Sequence, residues 1–249
     1  MLTLLRQEGY KVIKGKALWV SLILLFGFQL LIAIGTKQFN FMTEKQFITS
    51  SGASDDIIEI MMVVIASTII TNEFVHKTIK NLLSRQYSRL QVFLSKLITL
   101  VWMYVVLVFV NYLFTLVLKA IFFSSTEVTA HMIHQTVHYG IGLTLYVFII
   151  TSFVVLISNV AKSSGASIGI GVASIFVTQI LATVISILIA KASWVKYNPF
   201  NFFLVESQYK TAAIKQLTSL NLNAMTVGTL LYGLLFLIIA YIIFNKRNI

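Results

Sequence analysis

The feature that most constrains this chain is the recurrence of long apolar runs. Six stretches, at about 17–35, 57–75, 97–123, 139–160, 166–190 and 224–244, carry few charges along their length. A helix rises about 1.5 Å per residue, so roughly 20 such residues cross the ~30 Å hydrocarbon core of a bilayer. Within lipid, every backbone polar group must find its partner inside the segment or its barrel, and a helix does so. Composition agrees, because 58% of the 249 residues are hydrophobic and 11% are charged. A surface that faces water needs roughly 25% charged residues, so much of this surface faces lipid. The expectation is an all-α integral membrane protein of six transmembrane helices, with 1–249 forming one membrane domain.

Local signals refine the spans. Lys11, Lys14 and Lys16 precede the first run as in a signal peptide. However, no small-residue cleavage site follows and 38–45 is bulky and polar, so a retained helix is expected. Asp56 and Glu59 have the N-cap and N3 spacing of a capping box before the second span. The third span is long enough to tilt or to project beyond the bilayer. The longest polar stretch separates the last two spans and holds the one proline, Pro199, with 201–219 read as a surface helix at the membrane interface. There is no cysteine, which excludes disulfides and thiolate metal sites.

Positive segments resist translocation, so Lys and Arg set the orientation. With the N-terminus inside, the inside segments hold Arg6, Lys11, Lys14, Lys16, Lys77, Lys80, Arg85, Arg89, Lys96, Lys162, Lys246 and Arg247 against Glu8 and Glu73. The outside segments hold Lys37, Lys45, Lys119, Lys191, Lys196, Lys210 and Lys215, nearly balanced by Glu44, Asp55, Asp56, Glu59, Glu127 and Glu206. Almost all of the net +11 therefore falls on one side, which predicts both termini in the cytoplasm. The basic residues lie between apolar spans and form no patch in a polar domain, so nucleic acid is not an expected partner.

The segment 73–90, between the second and third spans, is too short for a domain. Its apolar residues Phe74, Ile79, Leu82, Leu83 and Leu90, interleaved with bases, suit an amphipathic helix. The run Glu73, Thr78, Ile79, Asn81, Leu82, Leu83, Arg85, Ser88, Arg89 and, further on, Lys96 resembles the first cytoplasmic loop of ABC-2 type permeases. That family includes subunits that export, or confer immunity to, peptides and lantibiotics. The resemblance extends to the six-span layout with the N-terminus inside, as in type V exporters. It implies that 73–90 is a coupling helix seated on a separate ABC ATPase, with those residues coupling ATP-driven closure to the membrane helices. Two positions depart from many relatives: Lys77 stands where Gly precedes the Thr, and Tyr87 where Pro precedes the Ser-Arg pair. On residues alone, a basic loop that meets anionic lipid remains the alternative.

No Gly-x-x-x-x-Gly-Lys-Ser/Thr phosphate loop occurs in the chain. ATP and Mg are thus expected on the partner ATPase, with no cofactor in this chain and no enzymatic activity of its own. Six spans are half of the usual exporter complement, so pairing with a second permease, identical or similar, is expected. The small residues of 163–174 allow close helix approach, within the chain or at a dimer seam.

Other polar groups offer candidate chemistry. His131, His134 and His138, with Glu127, fall at helical spacing, which opens a weak metal-binding option beside a solvated one. Asp55, Asp56 and Glu59 suit either a helix N-terminus or an external site for cations or cationic peptides. Asn111 lies inside an apolar span and needs a partner, either across a helix interface or in a substrate pathway. Lys119 is placed to snorkel, and Trp19, Trp102, Tyr139, Trp194 and Tyr197 fit interfacial belts.

These readings point to a permease subunit in a bacterial plasma membrane, exporting an amphipathic peptide, antimicrobial or lipid-like substrate. An ion-coupled secondary transporter needs ionisable groups near the midplane, and none is placed there convincingly. An intramembrane enzyme needs clustered His or carboxylates within the spans, which are absent. A non-transporting membrane partner protein stays open as the alternative.

Overall fold

The computed structural model describes residues 2–76, 78–79, 87–161 and 163–247. The described residues form helices and turns, with no strand among them. Six helices are long and apolar enough to cross a membrane: α2 (Lys16–Phe39), α4 (Asp55–Val75), α5 (Arg89–Phe122), α6 (Ala130–Ser158), α7 (Ser164–Ile189) and α10 (Leu222–Lys246). Shorter helices are α1 (Leu2–Lys14), α3 (Glu44–Thr49), α8 (Val205–Lys210) and α9 (Ile214–Thr218). The chain divides into two compact units, Met1–Met62 with Ile98–Gly140 and Val63–Leu97 with Ile141–Ile249. Helices α4, α5 and α6 contribute residues to both.

In the first unit, α1 turns Leu4 and Glu8 inward, one helical turn apart, with Lys11 donating to Glu8 at 2.9 Å. A Cβ at Gly15 would lie 2.7 Å from the Lys11 carbonyl, so glycine permits the tight junction into α2. Helix α2 buries Leu18, Ser21, Leu25, Gln29, Ala33 and Thr36, a stripe of helical period, and leaves Ile23 and Leu31 outward for lipid. It stops at Asn40 in the left-handed region. Helix α3 then starts with a capping box in which Thr43 and Gln46 satisfy each other's backbone donors. The turn 51–53 has three consecutive positive φ values, at Ser51, Gly52 and Ala53.

In the second unit, α7 buries Ser167, Gly171, Ser174, Thr178 and Ala182. A Cβ at Gly171 would meet Ser67 of α4 at 3.0 Å and Val63 at 3.3 Å, so the glycine sets how closely α7 approaches α4. Ser167 Oγ donates to the Ser67 carbonyl and Ser164 Oγ donates to Asn72 Oδ1 at 2.5 Å. This face of the 163–174 stretch packs within the chain. A Cβ added at Gly165 or Gly169, on the other face of α7, would meet nothing within 4 Å beyond the helix's own nearby backbone.

Two expectations are corrected, at the N-cap of α4 and over 201–219. Helix α4 begins at Asp55, and the Ser54 carbonyl accepts from Ile58 N at 3.2 Å, so Ser54 stands at the N-cap position two residues ahead of the expected Asp56. Helices α5 and α6 extend the apolar runs at about 97 and 139 toward the N-terminus, from Arg89 and Ala130, because the more polar turns ahead of those runs are helical too. The expected surface helix at 201–219 is instead a broken run of the 3-10 turn Pro199–Leu204, α8 and α9. It folds onto α7 and α10, with Asn201, Phe202, Phe203 and Val205 buried. Asn201 Nδ2 holds the run closed, lying 2.7 Å from the Lys196 carbonyl and 3.1 Å from that of Thr218.

Candidate functional site

The two shoulders of the segment 73–90 are built for rigidity. Near the end of α4, Glu73 Oε1 accepts from Lys96 Nζ of α5 at 2.5 Å, with side chains 9% and 3% exposed. Thr78, just beyond α4, donates its hydroxyl to the other carboxylate oxygen of Glu73, and Ile79 is buried. A buried charge must be paired, since truncating either partner strands the other in low dielectric. The pair therefore fixes the exit of α4 against the entry of α5. Asn81, Leu82, Leu83 and Arg85 lie outside the described residues.

The second shoulder is Arg89. Its Nη1 donates to the carbonyls of Asn245 at 2.6 Å, Arg247 at 3.0 Å and Phe244 at 3.3 Å. These carbonyls lie at and just past the end of α10, at the negative end of the helix dipole, and that of Phe244 also accepts from Arg247 N at 3.4 Å. Arg247 does the same for α6. Its guanidinium donates to the carbonyls of Asn159 at 2.6 Å and Ala161 at 2.9 Å and lies over the Phe74 ring, 4.0 Å from its centre. Partial burial pushes the Arg247 guanidinium below the ordinary arginine value. Phe74, Phe93 and Phe244 close the apolar floor, with ring centres 5.5 to 5.7 Å apart. Glu73, Thr78, Arg89 and Lys96 thus make their contacts within the chain.

The first unit holds a polar knot of its own. Gln29 is fully buried, and its Nε2 lies 2.5 Å from Asn111 Oδ1 and 3.1 Å from both the Ser51 carbonyl and Ser54 Oγ. Ser54 donates its hydroxyl to Asn111 Oδ1 at 2.6 Å, and Thr115 donates to the Asn111 carbonyl at 3.0 Å. Asn111 accordingly joins α2, the 51–54 turn and α5.

The histidines stand on the first turns of α6. His134 and His138 stack with ring centres 6.4 Å apart, while His131 and His134 are exposed. Among the described residues, no three His, Asp or Glu side chains gather where a metal ion would fit.

The pattern that defines the ABC-2 family transporter proteins matches residues 4–179, well over half of the chain. This chain belongs to the ABC-2 transporter family. The chain is 29% identical over 219 residues to an uncharacterized protein, YhcI, of Bacillus subtilis, covering 82% of this chain and 68% of that one. It is also 37% identical over 125 residues to the uncharacterized membrane protein YdbK of the same organism, covering 48% of this chain and 50% of that one. An ABC-2 protein is a membrane component of an ABC transporter, which implies an ABC ATPase as partner and a multi-pass place in the bilayer. Within this ABC-2 chain, sequence reasoning missed two residues. Gln29 had a readable signal, an amide in the middle of an apolar span. Arg247 had none beyond its charge.

Proposed function

We propose that this ABC-2 protein is the membrane-spanning subunit of an ATP-driven exporter, with both termini in the cytoplasm and 73–90 seated on the ATPase. The observation that carries the reading is the buried Glu73–Lys96 ion pair, which braces the segment where it leaves α4 and enters α5. A loop that only met lipid headgroups would gain nothing from a rigid base. A segment that must pass a push from a partner to two helices needs one. The excess of Lys and Arg on that side supports a cytoplasmic position.

Two permease chains, identical or similar, pair to enclose the pathway. The cargo is an amphipathic peptide, an antimicrobial or a lipid-like molecule, which suits apolar spans with few fixed charges. The buried knot of Gln29, Ser54, Asn111 and Thr115 has no ionisable member. This favours the reading over an ion-coupled carrier, which needs groups that bind and release ions or protons in the membrane.

A photo-crosslinking amino acid placed at Leu83 tests the proposal in cells that make the whole transporter. Position 83 is expected to capture the ATPase, and the exposed Phe39 at the far end of α2 is expected to capture none. Capture from position 39 with none from position 83 would overturn both the orientation and the coupling role.

A further inference from the structure

The residue just beyond α10 touches more helices than its position suggests. Arg247 leaves α10 in extended backbone, with φ −68° and ψ 128°. Its two guanidinium nitrogens reach the Asn159 and Ala161 carbonyls beyond the end of α6, at 2.6 and 2.9 Å. The guanidinium carbon of the same group lies over the Phe74 ring of α4, 4.0 Å from its centre. Its own carbonyl accepts from Arg89 of α5 at 3.0 Å. Asn159 completes the circuit by donating its side-chain amide to the Ala240 carbonyl of α10 at 3.1 Å.

We propose that Arg247 is a positioning residue, a strap that makes the ends of α6 and α10 move with the segment between α4 and α5. The chemistry favours Arg over Lys. A planar guanidinium donates to two carbonyls in its plane while an aromatic ring packs on its face, whereas an ammonium is a point charge with no such face. The acceptors are carbonyls past a helix end, which carry partial negative charge and have no helical donor. The strap joins the exit of α4 to helices that follow it by many residues, so a displacement of 73–90 is shared rather than absorbed in one loop. The inference rests on the coupling reading only for what drives the displacement.

Because the chain has no native cysteine, spin labels at Val75→Cys and Val160→Cys report the α4–α6 separation on the full chain in lipid nanodiscs. Both positions are exposed, and neither side chain belongs to the circuit. With Arg247 present, a single narrow distance distribution is expected. Arg247→Ala is expected to broaden it at least twofold, and Arg247→Lys to broaden it by an intermediate amount. Phe74→Ala keeps both hydrogen bonds and should broaden it less than Arg247→Ala, which guards against reading a folding defect as loss of the strap. With the ATPase bound and held in its ATP state, the wild-type separation should stay fixed while the Arg247→Ala separation shifts. Distributions for Arg247→Ala that overlay wild type, with and without the ATPase, would overturn the strap. The first comparison needs no ATPase, so a failure of ATPase docking strikes the coupling reading and leaves this result interpretable.

Discussion

Replacing Lys96 with Met should destabilise the chain far more than replacing both members of its ion pair. At 2.5 Å, the gross attraction between Lys96 and Glu73 is roughly 6–7 kcal/mol at an effective dielectric of about 20. Both side chains are almost fully buried, and the desolvation of two ions, several kcal/mol each, offsets most of that attraction. The intact pair is therefore close to neutral against an apolar replacement. Lys96→Met takes the Lys96 ammonium away from the buried Glu73 carboxylate, and breaking a buried pair in this way costs about 3–5 kcal/mol. Glu73→Gln with Lys96→Met removes both charges and should recover most of that loss, a coupling of about 2 kcal/mol or more. The assay is reversible unfolding of the purified chain in mixed micelles, followed by tryptophan fluorescence across all four members of the cycle. A Lys96→Met protein within about 0.5 kcal/mol of wild type, or a double variant that loses the sum of both single losses, would refute the reasoning.

Two further outcomes follow from the packing. Asn111→Ala removes one of the partners of both Gln29 and Ser54 and should cost about 1–3 kcal/mol by the same unfolding assay. Adding Gln29→Leu should cost less than the two changes summed, because the contact between Gln29 and Asn111 is then counted in both single losses. On α7, Gly171→Ala should destabilise through its contact with Ser67, whereas Gly169→Ala should be neutral or stabilise by up to about 1 kcal/mol from helix propensity. Equal melting shifts for the two alanine variants would contradict the packing assigned to α7.

The six spans were legible because each depends on a long run of apolar residues, a signal that survives errors at any one position. Their ends were not, and the start of α5 shows why. Arg89, Gln91, Ser95 and Lys96 alternate with apolar residues in the first two turns and lower their hydropathy, so a hydropathy reading places the start near 97. Lys96 is tolerated in a buried helical position because Glu73 lies across from it, and pairing over 23 positions is invisible to a local window. The first turns of α6 were lost in the same way, since His131 and His134 are helical but polar. Glu73, Lys96 and Asn111 were each singled out from the sequence, yet the contact of Glu73 with Lys96 and that of Asn111 with Gln29 appear only in the fold. Arg247 was visible only as one charge in an orientation count. Its acceptor Asn159 is 88 positions away, and nothing in the local pattern links them.

The central claim is that the basic segment between α4 and α5 docks an ATPase, and co-purification from the native membrane tests it most directly. Tagged full chain should bring down an ABC ATPase in a fixed ratio. Arg85→Glu combined with Leu82→Asp and Leu83→Asp should abolish that recovery without lowering the amount of permease in the membrane. Arg89 is left intact in that variant because its guanidinium holds the end of α10. Absence of any ATPase from the wild-type eluate, or equal recovery with the altered segment, would contradict the account.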